Sequence, residues 1–330
     1  MNTIVDRRAW RAAIQRAIAW IAAAAFLGGL PQVEAADSIS QPRWLLSTRS
    51  APQCGDLREG AARHRYWRLD DDCRWTAQDA AQFRQADDSD APIVVFVHGS
   101  RTDADGAVER GFAMYRTLQQ HAADRPFHFV IWSWPSERDR RRVRRDMQEK
   151  LVYCDAESYY LAEWLAARKL QSRVCLIGYS FGSQIITGAL HLAAGGELAG
   201  RSLPASLTEN SAARKPVRAV LLAAAIDSAA MATGRENGRT LSLVDQMLVT
   251  ENLCDRVLRW YPRIWRCGGP QAMGFVGPAL NDGKEKVELI DVRCAVGNRH
   301  DVYAYMASGG VRSRLARYAF LEDDAGAAKP

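Results

Sequence analysis

Val174-Cys175-Leu176-Ile177-Gly178-Tyr179-Ser180-Phe181-Gly182-Ser183-Gln184-Ile185-Ile186-Thr187-Gly188 is the stretch on which the reading of this chain turns. The run Val174–Ile177 is short, apolar and uninterrupted, as in a strand buried on both faces. It breaks at Gly178, after which apolar residues recur with helical spacing. Strand, sharp turn and helix therefore follow one another within a few residues. The turn holds a G-x-S-x-G match, Gly178–Gly182, with Ser180 in a strained geometry that the flanking glycines make room for. A serine so placed lifts its hydroxyl out of the sheet at a helix N-terminus. There the amide of Phe181 faces any oxyanion formed beside Ser180. The pentapeptide alone also fits a plain helix N-cap after a strand, so the rest of the chain must supply the partners.

Similar apolar runs lie on both sides of this stretch: Pro92–Val97 and Phe127–Trp132 before it, Val217–Ala225, Met247–Asn252 and Val287–Val292 after it. Helical patterns separate them. One spans Gly111–Ala122, and a long polar one runs from Glu137 to about Lys150 and on through Tyr160 to Leu170. Another follows Ser180 to about Ala194, and the last covers Val302–Phe320 with a kink at Gly309-Gly310. Such alternation predicts the α/β class, with a mostly parallel central sheet flanked by helices on both faces. Residues 91–330 read as one domain. Residues 36–90 read as an N-terminal extension packed on it, with a strand at Arg43–Thr48 and an irregular stretch from Tyr66 to Asp90 anchored by Trp67, Trp75 and Phe83. Residues 195–215 are a Gly/Ser/Pro-rich connection, read as a surface loop.

A serine nucleophile needs a base, and the base an orienting acid. Two histidines follow Ser180. His191 lies well down the helix that starts there. His300 sits in the polar turn Gly297–Asp301, between the last strand and the last helix, where the carboxyl ends of strands gather. His300 is therefore the candidate base. Two acids remain open: Asp255, after the strand Met247–Asn252, and Asp227, after Val217–Ala225. Asp291 lies within the last strand, and Asp301 is better placed to cap the final helix. His98-Gly99-Ser100 ends the first buried strand, which makes the amide of Ser100 the second oxyanion donor and leaves the His98 imidazole a structural task. No motif calls for a cofactor or a metal.

The chain has 330 residues, 48% hydrophobic and 25% charged, with a formal charge of +6. Arg7, Arg8, Arg11 and Arg16, set against Asp6 and Glu34, give residues 1–35 a net +2, and the remaining +4 does not argue for nucleic acid. Those arginines precede the apolar run Ala17–Leu30, and Val33-Glu34-Ala35 offers a small-residue cleavage site. Residues 1–35 thus read as a signal peptide, and the mature protein as exported, periplasmic or secreted. Export predicts disulfides among Cys54, Cys73, Cys154, Cys175, Cys254, Cys267 and Cys294. Cys54–Cys73, Cys254–Cys267 and Cys154–Cys294 are the pairs expected, with Cys175 a buried free thiol. The run Glu137–Arg145 is read as a solvated helix start with internal ion pairs to Asp139, Asp146 and Glu149. Peripheral contact with an anionic membrane surface is the other use such a run allows.

Taken together, Val97-His98-Gly99, Ser133-Trp134-Pro135-Ser136, Gly178–Gly182, the N-x-x-D-x-x-L element Asn252–Leu258 and His300 resemble the α/β-hydrolase superfamily. The chain looks most like an esterase/lipase-like group of largely undefined function, over roughly Pro92 to Phe320. In that group the N-x-x-D-x-x-L element carries the acid, which favours Asp255 over Asp227. The chain departs from it at Tyr179, where the group often has histidine. The resemblance implies a serine hydrolase that cleaves a small-molecule or lipid ester through an acyl-enzyme on Ser180. An acyltransferase on the same residues, and a non-catalytic binding protein of the cell envelope, are the alternatives.

Overall fold

The sheet is entered at β1 (Arg43–Ser47), against which β2 (Arg65–Leu69) folds back antiparallel, with β3 (Trp75–Gln78) antiparallel to β2 in turn. The apolar runs then follow as β4 (Ile93–Val97), β5 (His128–Ser133), β6 (Val174–Tyr179), β7 (Val217–Leu222), β8 (Gln246–Glu251) and β9 (Val287–Asp291). They form a nine-stranded sheet in the order β3-β2-β1-β5-β4-β6-β7-β8-β9, in which every pair from β1/β5 to β8/β9 is parallel. This is a computed structural model, and it describes residues 42–57, 63–86, 91–122, 125–138, 143–167, 173–208 and 216–320. The expected signal peptide and residues 139–142 of the arginine-rich run lie outside the described residues.

Every residue of β4, β5, β6 and β7 is buried, because helices cover both faces and no position can be left polar for solvent. The helices are α1 (Ala80–Ala86), α2 (Ala104–Ala122), α3 (Val143–Ala167), α4 (Phe181–Ala193), α5 (Arg256–Trp260), α6 (Val302–Ala307) and α7 (Gly309–Ala319), with shorter turns between. One layer packs α3 against α4, and the other packs α2 against α6 and α7. The break in the C-terminal helix falls at Ser308, beside the expected kink. Helix α2 starts earlier than its apolar pattern suggests. Asp103 caps it by accepting from the Gly106 amide at 2.8 Å, and Gly111 lets it press on β5, since a Cβ there would stand 2.4 Å from Ile131 Cδ1.

Parallel register sets the functional edge. Val97 pairs with Gly178, Tyr179 with Leu222, and Glu251 with Asp291, so the carboxyl ends of β4, β6, β7, β8 and β9 come out at one rim. The loops after them carry all the candidate chemistry.

Two expectations are corrected. The stretch after Tyr66 is not irregular, because β2 and β3 make an antiparallel hairpin and α1 buries Phe83 against Trp44, 4.8 Å between rings. Strands of five and four residues with Arg65 and Arg68 interleaved give too few apolar positions for a period to show. Residues 43–78 thus supply three strands in the plane of the sheet. The disulfides are the second correction, because all seven cysteines are free. Cys73 follows β2 at the Arg43 end of β1, whereas Cys54 leaves β1 at its Ser47 end. Cys154 is buried beside Phe181 and Cys294 is exposed. Cys254 and Cys267 are both exposed, unpaired, and separated by α5. Cys175 is buried in β6, as its apolar neighbours require.

Candidate active site

Ser180 ends β6 with φ 55° and ψ −121°, outside the regions an L-residue normally occupies, at a cost of about 1–3 kcal/mol. Three backbone hydrogen bonds hold it there. Its amide donates to Leu222 O (2.9 Å), and its carbonyl accepts from Ser183 N (3.0 Å) and Ala225 N (3.3 Å). The flanking glycines are sterically required. A Cβ at Gly178 would lie 2.7 Å from the Ser183 amide, and one at Gly182 would lie 2.1 Å from Val97 O. The turn therefore binds β6, α4 and the end of β4 into one unit.

His300 reaches Ser180 from the loop after β9. Its Nε2 lies 3.0 Å from Ser180 Oγ, and its Nδ1 lies 2.8 Å from Asp255 Oδ2. With an acceptor-only carboxylate at Nδ1, that nitrogen carries the proton, and Nε2 is left to accept from the Ser180 hydroxyl. Asp255 is wholly buried and fully satisfied. Oδ1 accepts from the amides of Val257 (2.9 Å) and Leu258 (3.0 Å), capping α5, while Oδ2 accepts from His300 and from the Tyr305 hydroxyl (3.0 Å). Asn252 braces the same loop, donating to Gly297 O at 2.9 Å and accepting from Cys254 N at 3.0 Å. The ring of Tyr179 packs on His300 with centroids 5.4 Å apart, in the place where the resembled group often has histidine.

Asp227, the alternative acid, is elsewhere. It accepts from Ala229 N (2.9 Å) and pairs with Arg235 (3.4 Å), with no contact to His300. Asp301 caps α6 through Tyr303 N, and Asp291 pairs with Arg293. His191 is used up within its own neighbourhood, bonded to Glu197 O and the Arg239 amide.

The loop after β4 is held by the β5 end. Ser136 O accepts from the amides of Arg101 (2.6 Å) and Thr102 (3.3 Å), and the Ser136 hydroxyl lies 2.9 Å from Thr102 O. Trp134 Nε1 donates to His98 O at 2.8 Å, and its ring stacks on the His98 imidazole. The amides of Arg101 and Thr102 are thus occupied, whereas that of Ser100 has no acceptor among these bonds. Phe181, the first residue of α4, has an amide with no intrahelical acceptor. Both residues line the cavity that opens on Ser180. His98 is fully buried, and burial, more than the charge of Arg49, holds its pKa well below the usual value. It stays neutral, with one ring nitrogen on Gly99 O and the other accepting from the Trp134 amide.

The cavity is about 520 Å³. Its floor is Tyr179, Ser180, Phe181 and His300, and its walls include Val143, Met147, Leu258, Trp260, Tyr261 and Ile264. The described part of 195–215 does not line it. A second cavity of equal size, at the β2–β3 edge beside His64, is lined among the described residues by no serine, threonine or cysteine. Among the described residues no group of three His, Cys, Asp or Glu side chains could hold a metal. Sequence reasoning missed Tyr305, whose role needs α6 folded beside α5, and it gave Ser133–Ser136 no task. It also gave Asp146 no contact outside the arginine-rich run, whereas Asp146 is buried and lies 3.5 Å from Arg101.

Comparison with known proteins bears on the fold. Residues 76–236 match the model of a family described as alpha/beta hydrolase of unknown function (DUF900). The match takes in Ser100, Ser180 and Phe181 and ends before Asp255 and His300, so the resemblance in the sequence holds and the fold is that of an α/β-hydrolase. Among solved structures the chain is similar to "a novel cutinase-like protein from Cryptococcus sp.", at 12% identity over 69% of this chain and 93% of that one, with a TM-score of 0.35. No curated protein matches it.

Proposed function

Starting from an α/β-hydrolase whose matched family has no assigned activity, we propose that this protein is a serine hydrolase of carboxylic esters. The observation that carries the reading is the unbroken chain of hydrogen bonds from Ser180 Oγ through His300 to Asp255. Ser180 attacks the ester carbonyl while His300 Nε2 takes its proton. Asp255 stabilises the imidazolium and keeps its Nδ1–H in place. The amides of Phe181 and Ser100 receive the charge developing on the carbonyl oxygen. The tetrahedral species collapses, and Nε2 returns the proton to the departing alcohol. Water, deprotonated by the same Nε2, then releases the acyl group from Ser180.

Acyl transfer to another alcohol would use the same groups, and nothing at the site favours it. A purely binding role has no use for a neutral imidazole poised on a serine in strained geometry. Export remains part of the proposal and rests on the arginines and apolar run of residues 1–35. Peripheral contact with an anionic membrane through Arg144 and Arg145, both exposed, remains a subsidiary proposal.

A fluorophosphonate probe tests the nucleophile. It labels the wild type and leaves Ser180→Ala unlabelled; equal labelling of both removes Ser180 from the role. A panel of aryl esters of graded acyl length, run on the same two proteins, tests the substrate class.

A further inference from the structure

We propose that the cavity over Ser180 selects esters that carry an anionic group, a carboxylate or a phosphate, on the part of the substrate that does not react. The inference rests on the ester-hydrolase reading and names its substrate class. Three arginines, Arg101, Arg110 and Arg256, line the same cavity as Ser180 and His300, and among the described residues Asp301 is the only carboxylate that lines it. The Asp301 side chain is engaged as the cap of α6, accepting from Tyr303 N.

The three cations are not equivalent. Arg101 is compensated by the buried Asp146, 3.5 Å away. Arg110 donates to Gly106 O on its own helix. With the Asn298 amide turned so that its oxygen faces the guanidinium, Arg256 donates to it through Nε (3.2 Å) and Nη2 (2.8 Å). Among the described residues no carboxylate lies within 4.0 Å of Arg110 or Arg256, so neither is held in an ion pair, although Asp103 stands near Arg110 across Gly106. Burial raises the pKa of Tyr179 beside His300, the charges of Asp255 and Asp301 act in the same sense and Arg110 in the opposite one, so the charge of Arg110 is felt at the floor of the cavity beside those of the two carboxylates. A concave site with low-dielectric walls focuses that field. Guanidinium groups match carboxylate and phosphate with paired donors. The remaining walls, among them Val143, Met147, Leu258 and Trp260, are apolar. An ester with an apolar stem and an anionic end uses both surfaces, whereas a neutral ester leaves Arg110 and Arg256 without an anion to pair with.

The test compares matched substrates on the full chain. For the carboxylate arm, 4-nitrophenyl hydrogen glutarate is set against its neutral methyl ester. For the phosphate arm, release of hexanoate from dihexanoyl phosphatidic acid is set against release from dihexanoylglycerol. The expected result is a kcat/KM ratio favouring the anionic member of at least one pair by about tenfold, carried by KM. Raising the salt from 0.05 to 0.5 M shrinks that ratio, by screening, and Arg110→Gln and Arg256→Gln each lower it severalfold. Turnover of the neutral esters with no preference in either arm, or a preference that survives both substitutions, overturns the proposal while leaving the esterase reading standing. Absence of turnover on all four substrates together with an unlabelled Ser180 overturns the esterase reading and this proposal with it.

Discussion

Asp255 gives one oxygen to His300 and the other to a helix: Oδ2 lies 2.8 Å from His300 Nδ1, and Oδ1 accepts from the first two free amides of α5. The two tasks separate by substitution. Asp255→Asn keeps an oxygen for the cap and turns an amide NH₂ toward His300, which forces the proton to Nε2 and leaves Ser180 without an acceptor. The expected outcome is a fall in kcat of about 10³–10⁴-fold with near-normal stability. Asp255→Ala loses the cap as well and unfolds about 1 kcal/mol more easily than the Asn variant. Aryl-ester kinetics paired with urea melts check both halves. An Asn variant within tenfold of wild-type kcat would show that His300 does not depend on Asp255.

Tyr305 is a positioning residue. Its hydroxyl is 3.0 Å from Asp255 Oδ2, and it does not line the substrate cavity. Tyr305→Phe removes one donor from a buried carboxylate, so the geometry of His300 loosens while substrate binding is untouched. A drop of about tenfold in kcat at nearly constant KM is expected. A change confined to KM would assign Tyr305 to the cavity wall instead.

These residues also mark how much the sequence could say. β4 to β8 were legible because burial on both faces leaves long apolar runs, and Ser180, His300 and Asp255 because each follows such a run at the carboxyl rim. Asp255 is preferred over Asp227 because it follows the strand next to the His300 loop, and the resemblance strengthens that choice; only the path of the loop decides which one meets Nδ1. Tyr305, Arg110 and Arg256 were not legible, because their neighbours come from distant segments whose packing no local period encodes. The β2–β3 hairpin was lost for the opposite reason: its strands are too short and too charged to show a period. The cysteines misled, because their count and an expected export signal say nothing of where β1 and α3 hold them apart.

Gly182 tests whether the turn is under steric constraint. A methyl group there would meet Val97 O at 2.1 Å and the Val97 carbonyl carbon at 2.8 Å, all backbone, with no side chain free to yield. Gly182→Ala therefore drives α4 away from β4, with a stability loss of about 3 kcal/mol and a displaced Phe181 amide. Gly309→Ala, with nothing within 4 Å and an ordinary φ, is the control and leaves stability unchanged or raises it by about 0.5 kcal/mol. Thermal melts of the two variants check the contrast. An unshifted melting temperature for Gly182→Ala would mean that the turn can relax.

Glu157 makes the scaffold under the site sensitive to pH. It is buried on α3 and accepts from Thr48 Oγ1 (2.7 Å), Trp132 Nε1 (2.9 Å) and Gln53 Nε2 (3.0 Å), joining α3 to the rim ends of β1 and β5. Burial pushes its carboxyl up from 4.5 to about 7, with the hydrogen bonds and Arg49 pulling down without prevailing. Between those values the folded chain holds a proton that the unfolded chain has released. The contribution of this group to stability is therefore whole below about pH 4.5, declines as the pH rises toward 7, and is flat above, a span of about 3 kcal/mol. Glu157→Gln stays neutral throughout, so its stability relative to wild type should grow between pH 5 and pH 8 by about that amount. Urea melts of both proteins at the two pH values read the difference directly, with other titrating groups cancelling. Because Trp132 precedes the Ser133–Ser136 segment that holds the Ser100 loop, the same variant should also keep its ester turnover at pH 8 to a higher temperature than the wild type. Parallel stability profiles for the two proteins would mean that Glu157 titrates alike in the folded and unfolded chain.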